Sequence, residues 1–465
     1  MRILMLGWEY PPVKSGGLGT ACYGLTKEMA ALGHDIIFVA PYAVPSEKSR
    51  HLTLVNLHRY KVKADISSLK DRILKKLNLT DEMKKHVTYE FISSLLNPYL
   101  SEETFRQKYS EKMLEIRNHI LTQKINISRE VENYDIEYDE YDAGVMDVYG
   151  QSLFQEVHDY ALKAEHIAKK YDFDLIVAHD WMTFEAAVRI KKLTGKPYCA
   201  HIHATEFDRT GGNCNQLIYG LEYQGMHAAD MIVANSHITK ENCIKHFGIP
   251  AHKIVPVHLA IDKDEVSSAK ESLPLNKKPG EKIVLFLGRL TMQKGPEYFL
   301  QAAAKAAKFY PQVRFIMAGN GEKMNDLIEL ASKLKISDKV FFTGFLQGED
   351  IRKVLKMADL FILSSVAEPF GLVVLEAIKA DVPCIISKTA GVAEILHHVL
   401  KVDYWDTLEM TNQMVNILKH NSLATELQAN ASLEAEEYTW DWTARRTLQV
   451  YDQLVNHVKG APTYA

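Results

Sequence analysis

Two carboxylates interrupt an otherwise apolar stretch of the chain, LFILSSVAEPFGLVVLEAI at residues 360–378. Burying a carboxylate without a partner is costly, so Glu368 and Glu376 must either reach solvent or face a ligand. Because a residue before proline favours extended backbone, we expect Glu368 to lie outside a helix that begins at Gly371. The first turn of that helix would direct unpaired backbone N–H groups, which suit a phosphate, towards the same place. The stretch therefore predicts a site for an anion and for hydroxyl groups.

Two cations follow an earlier predicted strand, in LFLGRLTMQKG. Arg289 and Lys294 lie just beyond the strand end, with a glycine on either side. Two cations in such a loop suit a diphosphate, because its negative charge is spread over several oxygens. The next strand ends in Gly319-Asn320-Gly321, which lacks the third glycine of a dinucleotide fingerprint. Cations, a helix start and two acids together indicate a nucleotide sugar as the ligand.

The first predicted strand leads into a glycine-rich turn, GWEYPPVKSGGLGT. Gly16 and Gly17 would let backbone N–H groups approach an anion, and Lys14 would add a full positive charge. The spacing is neither GxGxxG nor a P-loop. The turn therefore predicts either a phosphate contact or a plain connection between strand and helix.

Polar residues also follow two later strands of the N-terminal half, in VAHDW and in HIHATEFDR. Asp180, His203 and Glu206 are the candidate site residues in these two stretches. We expect the rings of His201 and His203 to point to opposite faces of their strand, so no metal site is predicted there. The five cysteines are dispersed without a CxxC pair, which favours neither a disulfide framework nor a zinc site.

Short apolar runs alternate with amphipathic helical segments in both halves of the chain, which is typical of parallel α/β domains. Strands are predicted at residues 2–8, 35–42, 174–180, 196–204, 231–236, 253–260, 282–290, 313–321, 339–345, 360–365 and 382–387. We expect two doubly wound domains, 1–262 with an insertion at about 62–150, and 263–445. A polar linker at about 262–281 joins them, and the amphipathic segment 446–465 forms a last helix.

The composition excludes several classes of protein. With 465 residues, 47% hydrophobic and 25% charged, the chain has the composition of an average globular protein with two or three domains. A net charge of −4 argues against a general nucleic-acid binder. The apolar N-terminus is predicted to be a strand and not a signal peptide, and the stretch at 360–378 is interrupted too often to span a membrane. We therefore expect a cytoplasmic protein.

Seven motifs, in the order KSGGLG, HDW, HATEFDR, GRLTMQKG, AGNGE, TGF and EPFGLVVLEA, resemble those of retaining glycosyltransferases of the GT-B fold. The resemblance is greatest to the glycogen and starch synthases. It implies two Rossmann-like domains facing a central cleft, with the last helix crossing back onto the first domain. It also implies a UDP- or ADP-glucose donor held mainly by the second domain, the nonreducing end of an α-1,4-glucan as acceptor, and no obligatory metal.

The resemblance also implies roles for individual residues. Arg289 and Lys294 would neutralise the departing diphosphate, while Glu368 would hold hydroxyls of the donor sugar. Glu376 would hold the ribose, and a glutamate there leans the expected donor towards UDP-glucose. The implied catalytic residues are Arg289, Lys294, Glu368, His203 and Asp180, and the implied substrate-binding residues are Lys14, Gly16, Gly17, Glu376, Gly371, Leu372, Phe345 and Glu206.

Three other functions compete with this interpretation. A transferase of the same fold acting on another glycan, a lipid-linked acceptor or a small acceptor is the runner-up. A non-catalytic nucleotide-sugar-binding protein is expected to have lost one of Arg289, Lys294 or Glu368, and all three are present. A dinucleotide oxidoreductase needs GxGxxG and an acid at the end of the second strand, and both are missing.

Overall fold

A computed structural model of the chain describes residues 1–12, 16–62, 80, 136–138, 153–261 and 277–460. Lys14 lies outside these residues, as do most of the predicted insertion and most of the predicted linker. The chain divides into two compact units, which we call the N-terminal and C-terminal units. The N-terminal unit comprises Met1–Ala234, Thr239–Val257 and Ala444–Ala465, and the C-terminal unit comprises Asn235–Ile238 and His258–Thr443.

The N-terminal unit is built on a seven-stranded parallel sheet. The strands of this half are β1 (Arg2–Leu6), β2 (Asp35–Ala40), β3 (Thr53–Asn56), β4 (Tyr60–Val62), β5 (Ile136–Tyr138), β6 (Leu175–His179), β7 (Tyr198–Ile202), β8 (Met231–Ala234) and β9 (Ile254–Pro256). The order in the sheet is β3-β2-β1-β6-β7-β8-β9, while β4 and β5 form a separate antiparallel pair. Every residue of β6 and β7 is buried, as expected for strands covered by helices on both faces.

Helices connect these strands and begin with identifiable signals. They are α1 (Gly17–Ala31), α2 (Leu153–Ala168), α3 (Trp181–Thr194), α4 (Glu206–Thr210), α5 (Gln216–Ala228) and α6 (His237–Phe247). At the start of α4 the Thr205 hydroxyl accepts from the Asp208 backbone N–H while the Asp208 carboxylate accepts from the Thr205 N–H. This capping box satisfies two backbone donors and fixes where the chain leaves β7.

The C-terminal unit is built on a six-stranded parallel sheet in the order β12-β11-β10-β13-β14-β15. Its strands are β10 (Lys282–Leu287), β11 (Val313–Ala318), β12 (Val340–Gly344), β13 (Leu360–Leu363), β14 (Cys384–Ser387) and β15 (Leu400–Val402). Its helices are α7 (Pro296–Phe309), α8 (Met324–Lys333), α9 (Glu349–Met357), α10 (Leu372–Lys379), α11 (Thr407–Lys419) and α12 (Asn421–Glu437). Both sheets are doubly wound, which confirms the predicted fold class.

The last helix, α13 (Trp440–Gly460), starts in the C-terminal unit and continues in the N-terminal unit. Its buried residues include Tyr451, which is fully buried within the N-terminal unit. Within the described part of the chain, every helix is too short or too polar to cross a lipid bilayer.

Each predicted strand coincides with an observed strand. Most observed strands are shorter and end one to four residues before the predicted end. The residues after most strand ends lie in the connecting loops. Several of them are apolar, so the predicted strands were too long. Four observed strands were not predicted: β4 and β5, which form the separate antiparallel pair, and β3 and β15, which lie at the edges of their sheets. β4 and β5 have three residues each, and β3 and β15 are short and only partly buried, so none of the four forms a clear apolar run.

Candidate active site

In the C-terminal unit the strand order reverses between β10 and β13, and ligands of doubly wound sheets bind beyond the carboxyl ends of the strands at such a reversal. The loop after β10 carries Lys294 and the loop after β13 carries Glu368. The Lys294 Nζ lies 2.6 Å from Glu368 Oε2, and the Ser365 hydroxyl donates to the same oxygen at 3.1 Å. The structure therefore brings together the cation and the acid that the sequence placed in one site.

This ion pair is largely shielded from solvent. The side chains of Lys294 and Glu368 are 18% and 7% exposed. The Ser364 hydroxyl donates to the Gly295 carbonyl at 2.9 Å and so holds the two loops against each other. The position of the pair is therefore fixed by loop packing before any ligand binds.

The loop that carries Arg289 is held by a backbone contact that the sequence analysis did not anticipate. A Cβ added to Gly319 would lie 1.8 Å from the Gly288 carbonyl oxygen. The Leu290 N–H donates to the Asn320 carbonyl at 2.9 Å. The glycine of the partial dinucleotide fingerprint after β11 thus allows two loop backbones to pack closely, before and after Arg289. The Arg289 residue itself is partly exposed.

The helix α10 begins as predicted, directly after Gly371. Gly371 has φ +105°, a left-handed conformation that other residues rarely adopt, and it allows the chain to turn sharply after Glu368. Among the described residues no side chain caps this helix start. Leu372 and Glu376 lie in α10 and are partly buried. Backbone N–H groups of this first turn thus lie close in sequence to the Lys294–Glu368 pair.

Phe345 follows the carboxyl end of β12 and is 57% exposed. A large aromatic side chain at this edge of the sheet is suited to contact a planar or sugar group, as the resemblance implies.

In the N-terminal unit the strand order reverses between β1 and β6. Asp180 follows β6 with φ +60°, which is unusual for a residue other than glycine. Its Oδ1 accepts a hydrogen bond from the His203 backbone N–H at 2.7 Å, which links the ends of β6 and β7. The strained backbone of Asp180 is thus stabilised by the contact that positions His203.

Three histidines cluster at these strand ends, because His179 and His201 are opposite each other in the sheet register. The His179 Nδ1 lies 2.9 Å from His203 Nε2, and the Tyr451 hydroxyl lies 2.7 Å from His201 Nε2. Our expectation that His201 and His203 point to opposite faces was wrong, because residues two apart on a strand share a face.

Ring nitrogens of His179, His201 and His203 lie within 4.8 Å of one another, so the donor types of a transition-metal site are present. Burial lowers the pKa of His179 and His201 well below the ordinary value, and the neighbouring imidazoles lower both further. Burial also lowers the pKa of His203, with Asp180 and Glu9 opposing the shift. All three rings are therefore neutral at physiological pH.

Burial raises the pKa of Asp180, and the neighbouring His203 side chain and backbone N–H oppose that rise. Asp180 is 7% exposed and His203 is partly exposed. His203 is therefore more accessible to a ligand than Asp180, and Asp180 supports His203 through the hydrogen bond to its backbone N–H.

Glu206 lies in a buried ion cluster and is only 1% exposed. Arg209 Nε donates to its Oε2 at 3.0 Å, and the Asn215 backbone N–H donates to its Oε1 at 3.1 Å. Arg209 also pairs with Glu222, whose pKa is raised by burial to about 8. Because both oxygens of Glu206 already accept hydrogen bonds, the geometry favours a structural role over the substrate contact that the resemblance implies.

Gly16 and Gly17 are exposed at the start of α1, which follows β1. Gly16 has an extended backbone, and no atom of another described residue beyond its chain neighbours lies within 4 Å of a Cβ added to it. The space in front of this helix start is thus compatible with an anion, as predicted from the glycine-rich turn.

Comparison with known proteins agrees with both halves of this description. The starch synthase catalytic domain matches residues 2–257, and the glycosyl transferases group 1 domain matches residues 268–404. An uncharacterized glycosyltransferase of Methanocaldococcus jannaschii is 26% identical over 467 residues, covering 97% of this chain and 98% of the relative. A glycogen synthase of Mycobacterium tuberculosis is 24% identical over 460 residues, covering 97% of this chain and 94% of the relative.

The fold also matches that of solved glycosyltransferase structures. The sucrose-phosphate synthase of Thermosynechococcus elongatus has a TM-score of 0.67 at 17% identity, covering 98% of this chain and 99% of that chain. With two doubly wound units, this likeness identifies the fold as GT-B. The chain therefore belongs to the starch synthase catalytic domain family and is a glycosyltransferase.

Proposed function

We propose that this glycosyltransferase moves glucose, with retention of configuration, from UDP-glucose or ADP-glucose to the nonreducing end of an α-1,4-glucan. The observation that carries the proposal is the Lys294–Glu368 pair, which joins a cation suited to phosphate and an acid suited to hydroxyl groups at the strand-order reversal. The similarity to a glycogen synthase over 97% of the chain supports the choice of glucan as acceptor.

The C-terminal unit would stabilise the leaving group. When the bond between the anomeric carbon and the diphosphate oxygen breaks, negative charge develops on the diphosphate. Lys294, Arg289 and the N–H groups at the start of α10 would receive that charge. Each such group contributes about 3–4 kcal/mol to the transition state.

Glu368 has two tasks in this proposal. Before the donor binds, its carboxylate pairs with Lys294, so neither charge is left alone in a shielded place. Once the donor binds, Lys294 also contacts phosphate oxygens, and Glu368 accepts hydrogen bonds from sugar hydroxyls. We assign no covalent nucleophile, so the acceptor hydroxyl would attack the anomeric carbon and pass its proton to the leaving diphosphate.

In the N-terminal unit, His203 is proposed to hydrogen-bond the sugar, and Asp180 is proposed to hold His203 in place. A neutral imidazole suits hydrogen bonding to hydroxyl groups, and burial keeps His203 neutral. The Asp180 carboxylate accepts a hydrogen bond from the backbone N–H of His203, so Asp180 would position His203 and not contact the donor directly.

Incubation with glycogen and radiolabelled UDP-glucose or ADP-glucose tests the proposal directly. We expect label to enter glycogen from one of the two donors and to be released from nonreducing ends by an exo-acting glucosidase. If neither donor labels glycogen, the runner-up gains support, a transferase of this fold that acts on a small, lipid-linked or other glycan acceptor.

A further inference from the structure

We propose that His179 is a positioning residue that holds His203 in the tautomer with its proton on Nδ1. His203 then presents a neutral Nδ1–H donor to the sugar. The functional part of this inference rests on the proposed role of His203, whereas the tautomer itself is a property of the chain alone.

The two ring nitrogens of His179 are in different hydrogen-bonding environments. This residue is fully buried, at 0% exposed, and its Nδ1 lies 2.9 Å from His203 Nε2. Its other ring nitrogen, Nε2, is buried with no hydrogen-bond partner among the described residues. A neutral imidazole carries one proton, so the two nitrogens of His179 cannot both donate.

Two arrangements of protons are compatible with the 2.9 Å contact. If His203 Nε2 donated to His179 Nδ1, the proton of His179 would lie on Nε2, as a buried N–H without an acceptor. If His179 Nδ1 donates instead, only a lone pair is left unpartnered at Nε2. Buried N–H groups without a partner are rarer in proteins than under-satisfied acceptors, so the second arrangement is favoured.

The second arrangement determines the state of His203. Its Nε2 accepts the proton of His179, so the single proton of the neutral His203 ring lies on Nδ1. Asp180 holds the His203 backbone at 2.7 Å, which leaves the ring little freedom to move away from His179. Backbone and ring contacts thus act together to fix one donor atom.

His179 is itself held by packing and by a second hydrogen bond further back. Its ring centroid lies 4.6 Å from that of His201, and His201 Nε2 is 2.7 Å from the hydroxyl of the fully buried Tyr451. Tyr451 of the last helix thus holds the His201 ring, against which the His179 ring packs.

A shared metal ion is the competing explanation of the three-histidine cluster. The hydrogen bond between His179 and His203 places a proton between two of the nitrogens that a metal would need, and His201 Nε2 is already bonded to Tyr451. The observed contacts therefore favour the hydrogen-bonded arrangement, and metal content becomes one outcome of the test.

The tautomer is measured by nitrogen NMR on the full chain with ¹⁵N-labelled histidine rings. The ¹⁵N chemical shift separates protonated from unprotonated ring nitrogens, and the signal lost in H203A identifies His203. We expect His203 to carry its proton on Nδ1 in the wild type and to shift towards Nε2–H in H179L. In H179N the tautomer should be retained, because the asparagine amide nitrogen takes the place of the imidazole Nδ1. Melting temperatures show whether each variant is folded.

Activity with the labelled donor gives the functional readout. Hydrogen-bond partners that orient metal-ligating histidines are worth about 10- to 100-fold in activity. By analogy, we expect H179L, which loses the partner that orients His203, to lose at least about tenfold in kcat/KM. The conservative H179N should keep an activity close to that of the wild type. A merely structural role for His179 would not give this rescue together with an unchanged tautomer.

Three results would overturn the proposal: a wild-type His203 protonated on Nε2, a tautomer unaffected by H179L, or a stoichiometric transition metal in the purified protein. If H203A keeps its activity, His203 is not a sugar donor and the functional part fails. If glycogen is not elongated by either nucleotide sugar but the NMR results are as expected, the proposed acceptor is wrong and the tautomer stands.

Discussion

The Lys294–Glu368 pair is a contact of the folded protein whose two groups are also proposed to act in the reaction. Two charges that are 18% and 7% exposed would each be unfavourable without the other, so the pair stabilises the free site. The same two groups have the chemistry to bind phosphate and hydroxyls. Removing either one should therefore lower stability as well as activity, so melting temperatures of such variants are needed beside their rates.

Replacing Lys294 or Arg289 by alanine should lower kcat by about 100-fold or more, because each variant lacks one of the cations proposed to stabilise the leaving diphosphate. Initial rates with labelled donor and glycogen measure this effect. The matched control is K333A, since Lys333 is 74% exposed in a surface pair on α8 and should leave kcat unchanged. Near-full activity of either site variant would show that its cation does not serve the leaving group.

The buried cluster around Arg209 predicts a pH dependence of stability. Burial raises the pKa of Glu222 from 4.5 to about 8, so the folded state keeps a proton that the unfolded state releases as pH rises above 4.5. The resulting contribution to stability is fully present below about pH 4.5 and is lost as pH rises through about 8. E222Q cannot ionise, so it should lose less stability than the wild type between about pH 6 and about pH 9.

Melting temperatures of the wild type, E222Q and R209M at several pH values test this prediction. R209M leaves the Glu206 carboxylate buried without its cation and should lose about 3–5 kcal/mol of stability. Equal pH dependence of E222Q and the wild type would show that Glu222 is ionised in the folded protein at neutral pH.

At the level of elements, the loops after β10 and β11 form one unit because their backbones touch. A methyl group on Gly319 would lie 1.8 Å from the Gly288 carbonyl oxygen, so G319A must push the two loops apart and displace Arg289. We expect a lower melting temperature and a weaker response to nucleoside diphosphates, measured by thermal shift.

G33A is the control for this prediction, because Gly33 also has a positive φ, +84°, but in the described part of the chain no atom beyond its neighbours lies within 4 Å of an added Cβ. It should lose only the backbone term of about 1–2 kcal/mol and keep its response to nucleotides. If G319A and G33A behave alike, the contact between the two loops is not important for the site.

The last helix is tied to the sheet of the N-terminal unit by the Tyr451 hydroxyl and His201. Y451F removes that hydrogen bond and leaves a buried ring nitrogen unsatisfied, which should destabilise the protein by about 1–3 kcal/mol. Chemical unfolding measures the loss, and Y171F, at a residue that is 37% exposed, should change stability little. A Y451F protein as stable as the wild type would mean that packing alone holds this helix.

For the whole molecule, the choice of donor determines which nucleotide stabilises the folded chain. A nucleoside diphosphate that binds the C-terminal unit should stabilise the folded chain by about 2.7 kcal/mol at a concentration of 100 Kd. This gain is seen as a rise in the melting temperature. We expect UDP to give the larger shift, ADP a smaller one and NAD none, and K294A to reduce the shift. A larger shift with NAD would contradict the assignment of the site to a sugar nucleotide.

Much of the architecture could be predicted from the sequence alone. The strands that position the site are apolar on both faces, so each forms a recognisable run, and the loops after them bring Lys294 and Glu368 to one edge of the sheet. The edge strands β3 and β15 were missed because they are only partly buried. The roles of residues implied by the family resemblance stay predictions until the variants are measured.

Local sequence thus determined the alternation of strands and helices, the start of α10 at Gly371 and the residue types of the site, because these depend on neighbours along the chain. Only the tertiary structure decided that Glu206 is used internally by Arg209 and that His201 is bonded to a tyrosine 250 residues away. Such contacts depend on strand register and on which side chains are buried together, and neither is encoded in the spacing of a short motif.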